Sequence, residues 1–499
     1  MRLPFVRPRA SALFYLLVAV LASAPAWIVK HPPLQDMPIH LATIRIIKSF
    51  HDPAFGFQEN FVLALGRTQY VLYYLVGALL AFLVGVDAAN VTLLSLYLGG
   101  TVLAMRALLR ALGRDERLSL FVVPLLVNTM FLYGLFPFLL GIPLMLWALA
   151  RAVLHFERPT LSGGALLGTL ALALFYSHVF PFGIFCIGFI AMFPWGRPSR
   201  WLPCGAPTLP ALAAFVWWTF LTAAGRLARG AATDSGADPH RAMDAAILEL
   251  PNWFTNVFRD TTDEVVIVAL ALLVVASLGL SLGDRDHAKR SARAYVVLPM
   301  ACVVLYFVLP EAHGYIWLIA QRFPILFAIT AIPLLRIPQG ARGLAVTAAA
   351  VAVSAGSIVN TCKHFIRFEI DEVGDIDDAI DAMQPRRRVC ALIYDRGSNI
   401  VNNQPFLHFG SYYQVEKGGV IMFTYAGYLH WPVDFQPDKY PPPGGAARMR
   451  WEWTPEAVPL GEIYPYYDYV LTRGPGFRPP AGTFRLAYRG EHWAVWAKP

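Results

Sequence analysis

The sequence predicts a polytopic α-helical membrane protein, with about eleven transmembrane helices plus a membrane-associated outer-loop segment, that ends in a mixed α/β extracytoplasmic domain. Three observations predict it. Of the 499 residues, 57% are hydrophobic and only 15% are charged, against about 25% charged in a soluble chain. The apolar residues come in runs of roughly 16–20, the length that crosses a ~30 Å hydrocarbon core. Those runs stop near Asn360, and the rest of the chain has the alternating polarity and the Pro, Gly and Tyr content of soluble protein. The expected division is therefore 1–362, a transmembrane domain, and 363–499, a soluble α/β domain.

The first run, 11–29, comes after Arg2, Arg7 and Arg9 and ends near Ala22-Ser23-Ala24. It is long for the apolar core of a signal peptide and more runs succeed it, so it reads as an uncleaved first span. Further spans are expected at 91–111, 118–133, 137–155, 161–178, 180–195, 209–225, 265–283, 295–310, 323–337 and 342–360. A twelfth run, 70–86, decides the topology. If it crosses, the clusters Arg106, Arg110, Arg114, Arg117, then Arg151, Arg158, then Arg197, Arg200, then Arg285, Lys289, Arg290, Arg293 all fall outside. If it lies in the outer leaflet, all of them move inside with Arg336 and Arg342, as the excess of cytoplasmic Lys and Arg requires. The second arrangement puts the N-terminus in the cytoplasm of an inner-membrane protein and the C-terminal domain outside. It leaves two long outer connections, Lys30–Asn90 and Arg226–Glu264, and long connections usually serve a purpose.

In the C-terminal stretch, Phe368–Met383 reads as an acidic amphipathic helix. Val389–Tyr394 and Val420–Tyr425 read as buried strands, and Tyr469–Thr472 as another. Phe484–Tyr488 and Trp493–Ala497 read as a hairpin around Arg489-Gly490-Glu491. The net charge of +8 is explained by Arg and Lys in short loops, and no basic stripe on a soluble fold points to nucleic acid. Of five cysteines, Cys186, Cys204 and Cys302 read as small core residues. Cys362 and Cys390 flank the start of the soluble domain, where a disulfide can form in an oxidising compartment.

The most informative segment is His31-Pro-Pro-Leu-Gln-Asp36-Met-Pro-Ile-His40, directly after the first span. A carboxylate at the membrane–water boundary can take a proton from an acceptor hydroxyl, bind a divalent cation, or cap the helix expected over Ile39–Phe50. His40, four residues on, shares a helical face with Asp36 and can orient it or share its cation. Arg322 lies where an outer loop re-enters the membrane, a costly and often functional place for a charge. A guanidinium there can hold a phosphate at two points or simply snorkel. His313 and Glu311 stand in the same loop. His178, before Pro181 at a span end, can line a pocket. Asp260, Asp263 and Glu264 crowd another span end. His408, Tyr412, Tyr413, Lys417 and His430 in the soluble domain show no spacing that joins them in a catalytic set.

The opening of the chain resembles that of the GT-C superfamily of membrane glycosyltransferases, as in protein O-mannosyltransferases and lipid A aminoarabinose transferases. The resemblance rests on an N-terminal helix, a long outer loop that opens with Asp36, the apolar stretch Tyr70–Val86, the break Asp87-Ala-Ala-Asn90, and a helix ending in Arg106 and Arg110. Those families carry an acidic pair in this loop, where this chain has Gln35-Asp36. The resemblance implies a polyprenyl-linked sugar donor and an extracytoplasmic acceptor, which can be protein, lipid or glycan. It makes Asp36 the general base, with Arg322, His178, His40 and His313 as candidates to bind substrate or the lipid phosphate, and it leaves a divalent cation open. Two other classes compete: a flippase of lipid-linked saccharides and a non-catalytic envelope assembly protein. Transporters often show repeated halves and charges at the bilayer midplane. Here no repeat is visible, and polar groups gather at span ends.

Overall fold

The computed structural model describes residues 8–230, 240–281, 293–313, 316–443 and 448–499. Arg2, Arg7, Arg285, Lys289 and Arg290 lie outside the described residues. The chain forms two compact units: Met1–Trp27 with Thr92–Phe131 and Phe136–Cys362, and Ile28–Val91 with Leu132–Leu135 and Lys363–Pro499.

The first unit is helical. Across the described chain, five helices are long and apolar enough to cross a membrane: Val86–Leu112, Phe136–Glu157, Pro198–Leu221, Thr262–Leu280 and Gly340–Val373. Shorter apolar helices include Ser11–Ala26, Leu161–Ser177, Val179–Met192, Val297–Val308 and Ala320–Leu334. The Thr262–Leu280 helix shows the pattern of a span. Val265, Val268, Leu272 and Val275, spaced three and four apart on one face, are exposed, while Asp263, Leu270, Leu273 and Ser277 are buried. A water-soluble helix does the reverse, and apolar outer faces belong in lipid.

Two expected spans are interrupted. Residues 118–133 form no single helix: Glu116–Leu125 is a 3-10 helix and Thr129–Tyr133 a short α-helix. Pro124 removes a backbone donor inside that run. The Asn128 side chain then takes the N–H groups of Met130 and Phe131, at 2.9 and 3.2 Å, and starts the helix anew. The span expected at 209–225 breaks at Thr222, whose backbone is extended and whose hydroxyl accepts from Gly225 N–H at 3.0 Å.

The second unit is built on a five-stranded sheet. Arg388–Ile393 lies second from one edge, parallel to the edge strand Val420–Ile421 and to the middle strand Tyr469–Arg473. Trp493–Ala497 pairs antiparallel with Tyr469–Arg473 on one side and with Arg485–Arg489 on the other. The hairpin closes where the Arg-Gly-Glu turn was expected. A cluster of Cys390, Leu392, Met422, Ile463, Tyr467 and Val470 fills one core of this unit. All five cysteines are free, so the Cys362–Cys390 disulfide is not formed; Cys390 Sγ instead lies 3.4 Å from Met422 Sδ.

Two other elements depart from expectation. Phe368–Met383 is not one helix. A π-helical turn at Glu369–Val373 ends at Gly374, which takes φ +66°, and Ile376–Asp381 forms a separate helix. Only glycine enters that left-handed region cheaply. The strand expected over 420–425 stops at Ile421. Beyond Met422 the chain leaves the sheet, and Val433–Phe435 pairs antiparallel with Phe61–Leu63. The Leu72–Val84 helix of the same unit buries Tyr73, Tyr74, Gly77, Ala78 and Ala81 and exposes Leu79, Phe82 and Leu83.

Candidate functional site

Asp36 stands at the N-cap position of the Met37–Lys48 helix, yet its side chain makes no capping hydrogen bond. Pro38 in the first helical turn has no N–H to satisfy, which lessens the need for a cap. The segment before the helix is held by backbone bonds instead: Gln35 N–H donates to Leu132 C=O at 2.9 Å and Asp36 N–H to Tyr133 C=O at 3.2 Å. Asn403 joins the same knot, its amide donating to Pro33 C=O at 3.1 Å and Leu132 C=O at 2.8 Å. The carboxylate is thereby freed to face residues far along the chain.

Those residues form a charge relay of fixed order within the second unit. His408 Nδ1 lies 3.0 Å from Asp36 Oδ1, as an ion pair rather than an aligned hydrogen bond. His408 Nε2 bonds the Glu452 carboxylate on its other side. The Tyr425 hydroxyl donates to Asp36 Oδ2 at 3.0 Å. Asp36, His408 and Glu452 are 8%, 3% and 6% exposed, so each needs a polar partner close by. Burial alone would strip the proton from His408. The Glu452 carboxylate and then Asp36 overturn that and push its pKa up to about 10. The imidazole is therefore a cation between two anions.

His40, buried on the helix that has Asp36 as its N-cap, is bonded at both ring nitrogens. Its Nε2 bonds the Gly134 carbonyl at 2.9 Å and its Nδ1 meets the Tyr74 hydroxyl at 2.8 Å. A carbonyl accepts only, so the hydrogen sits on Nε2 and Nδ1 accepts from Tyr74. Burial then holds the neutral ring, with its pKa lowered to about 4. His40 stacks on Tyr74 and meets Trp431, which packs on Tyr425. This aromatic wall supports the loop that carries Tyr425. Arg67 anchors the same loop through Tyr428 C=O at 3.0 Å, Trp431 C=O at 3.3 Å and Asp434 at 2.5 Å.

The residues also speak to the divalent cation. Among the described residues no group of three His, Cys, Asp or Glu side chains is arranged to hold a metal ion. His408 sits between the two carboxylates with one nitrogen turned to each, so the three do not converge on a common point. The donor set does not fit a metal centre here.

Arg322 and His178 belong to the first unit, and the structure brings them together. Arg322 Nη1 lies 2.7 Å from His178 Nε2, Nη2 donates to Trp317 C=O at 3.2 Å, and the guanidinium stacks on Phe138 and Phe180. His178 caps the Val179–Met192 helix by accepting Phe180 N–H at Nδ1, 3.1 Å. Both ring nitrogens of His178 therefore stand against donors, the Phe180 N–H at Nδ1 and the Arg322 guanidinium, which only donates, at Nε2. Arg322 is 7% exposed and does not snorkel. His313 Nε2 bonds Ala228 C=O at 2.8 Å. Glu311 pairs with Arg241 at 3.3 Å. Asp263 closes a turn by accepting Val257 N–H at 2.9 Å, and Asp260 accepts from Thr262.

Sequence reasoning passed over Glu452, Tyr425 and Asn403 and gave His408 no role. Nothing in their spacing ties them to Asp36. The one usable signal was the need of a buried carboxylate for a cationic partner, and that names a residue type without a position.

The fold and this centre define a class: a polytopic helical membrane protein with a buried carboxylate on the loop after its first helix. No family model matches the sequence, and no curated protein matches it. Among solved structures, ArnT from Cupriavidus metallidurans in the apo state aligns over 98% of each chain with a TM-score of 0.56 at 10% identity. ArnT from the same organism bound to undecaprenyl phosphate aligns over 98% of each chain with a TM-score of 0.57 at 11% identity. The chain thus shares the fold of these ArnT structures along nearly its whole length, in agreement with the resemblance carried by its first loop.

Proposed function

We propose that this protein is an integral-membrane glycosyltransferase that moves a sugar from a polyprenyl-phosphate-linked donor to an extracytoplasmic acceptor, with Asp36 as general base. The observation that carries the reading is that Asp36 leaves its own helix uncapped and is held by His408 and Tyr425 instead. A carboxylate kept from its local structural duty and fixed by remote residues has the form of a functional group. The fold shared with a protein bound to undecaprenyl phosphate supports the donor class.

In this reading the acceptor hydroxyl takes the place of Tyr425 on Asp36 Oδ2. Its O–H bond breaks and the proton passes to the carboxylate. The acceptor oxygen forms a bond to the anomeric carbon of the sugar. The bond from that carbon to the lipid phosphate breaks, and its electron pair leaves with the phosphate. Within the first unit, the Arg322 guanidinium has the chemistry to bind a phosphate. The reaction needs no oxidant and no nucleotide. The topology that serves it has the N-terminus in the cytoplasm and the 363–499 domain outside, where a lipid carrier presents its sugar.

The test replaces Asp36 by Asn in the full-length protein and measures transfer from radiolabelled polyprenyl-phosphate sugar in membranes. Asn keeps the size and the acceptor oxygen but cannot take the proton, so turnover is expected to fall by about 10²–10⁴-fold. Wild-type turnover in Asp36→Asn, at equal protein level, would remove Asp36 from the chemistry.

A further inference from the structure

We propose that His408, clamped from behind by Glu452, is a positioning residue that fixes the Asp36 carboxylate for proton abstraction, which makes the C-terminal segment part of the catalytic centre. The inference rests on Asp36 being the base.

The geometry has four parts. His408 uses both ring nitrogens on carboxylates, Asp36 Oδ1 in front at 3.0 Å and Glu452 behind. Its stretch of chain is tied to the Asp36 loop by Asn403, which donates to Pro33 C=O and to Leu132 C=O, the carbonyl that also accepts from Gln35 N–H. Glu452 lies on the Arg448–Trp453 helix, whose last carbonyl, that of Trp453, accepts from Arg396 at 2.5 Å while the Arg396 guanidinium stacks on the Trp453 ring. The carboxylate behind His408 therefore has its own anchor. Finally, the Asp36 contact is close but not well aligned, whereas the Glu452 contact is a hydrogen bond. The ring is held from the rear and left adjustable in front, which suits a carboxylate that must swing slightly to meet an acceptor.

Other titratable groups face the pair. His40 comes from the Met37–Lys48 helix and is neutral; Tyr425 comes from the loop over the site; Tyr74 and Tyr133 feel the Asp36 charge. None of them is a cation. His408 is thus the positive group beside Asp36 on these elements, and its charge depends on Glu452, the largest influence that favours its protonation. Without Glu452 the burial cost is opposed by Asp36 alone.

This arrangement predicts a signature on the alkaline side. A wild-type rate profile should stay level from about pH 7 to 9, because His408 keeps its proton to about 10. Glu452→Gln keeps the shape of the clamp and removes its charge. Its turnover number should begin to fall at a lower pH than that of wild type, with KM for donor within about twofold of wild type. His408→Ala should lose turnover at every pH, by roughly 10²-fold for a misplaced reacting group, and show no alkaline fall of its own.

The experiment measures turnover and KM against pH in proteoliposomes for wild type, Asp36→Asn, His408→Ala, Glu452→Gln and Glu452→Asp, all full length and checked for membrane level. Restoration of the level profile by Glu452→Asp supports the clamp. Inactive Asp36→Asn together with wild-type rates and profiles in Glu452→Gln and His408→Ala would overturn the positioning role and leave the base intact. Active Asp36→Asn would overturn both. If His408→Ala does not reach the membrane, the profile of Glu452→Gln decides.

Discussion

Gly134 offers a test of how tightly the Asp36 loop is built. It lies in the Leu132–Leu135 link, takes φ +81°, and lends its carbonyl to His40. A Cβ placed on it would lie 3.0 Å from Asp36 N, 3.1 Å from Asp36 Cβ and 3.3 Å from Asp36 Cα. Gly134→Ala therefore carries two costs. The left-handed backbone costs a residue with a Cβ roughly 1–2 kcal/mol. Crowding against backbone that cannot rotate away adds about 1–3 kcal/mol. Gly482 isolates the first cost: it takes φ +78°, but a Cβ there meets nothing within 4 Å. Gly482→Ala should lower the thermal midpoint of the detergent-purified protein modestly and leave transfer untouched. Gly134→Ala should lower the midpoint further and push Asp36 away from His408, and a shift near ~1 Å at a reacting group costs about 10²-fold in rate. The assay pairs thermal unfolding with sugar transfer at equal protein level. Indistinguishable behaviour of the two alanine variants in both measurements would refute the claim that the 132–135 link sets the position of Asp36.

Two more predictions concern groups away from Asp36. Arg322→Lys keeps a charge but loses the flat two-point grip and the ring stacking, so donor KM should rise by roughly tenfold, and Arg322→Gln should lower turnover as well; unchanged kinetics in Arg322→Gln would exclude a phosphate-binding role. His31, 2% exposed, is bonded to Glu369 at 3.1 Å and faces Asp377 at 3.5 Å. Burial works against its charged form, but the hydrogen bonds and charges of Asp377 and Glu369 outweigh it and the pKa is raised. Its contribution to stability is then full below the ordinary value of 6.5 and is lost as pH rises through the raised one. Asp377, lowered to about 2 chiefly by its bond to His31, contributes fully above 3.8 and loses that as pH falls. The midpoint of wild type should therefore decline as pH rises above 6.5, and His31→Gln should flatten that decline. An identical slope in both proteins would refute the clasp.

Much of this protein was written in its one-dimensional pattern. Runs of apolar residues without charges can only be helices in lipid, because every backbone donor there must be paired within its own segment. The hairpin of Phe484–Tyr488 and Trp493–Ala497 was equally legible, since alternation on either side of Arg-Gly-Glu leaves few other solutions. Local competitors could have been weighted better: Pro124 and Asn128 together break a run that hydropathy reads as continuous, and Gly374 breaks another. The loop after the first helix announced itself by one isolated carboxylate between prolines. Its partners did not. Asp36, Gly134, Asn403, His408, Tyr425 and Glu452 sit in separate stretches of sequence, and a pairing of charges across such distances leaves no periodicity to read. Tertiary structure decided which histidine is a cation and which is neutral. His40 and His408 are both buried, and only the groups packed around them, a carbonyl and a tyrosine hydroxyl for one and two carboxylates for the other, leave one neutral and the other charged.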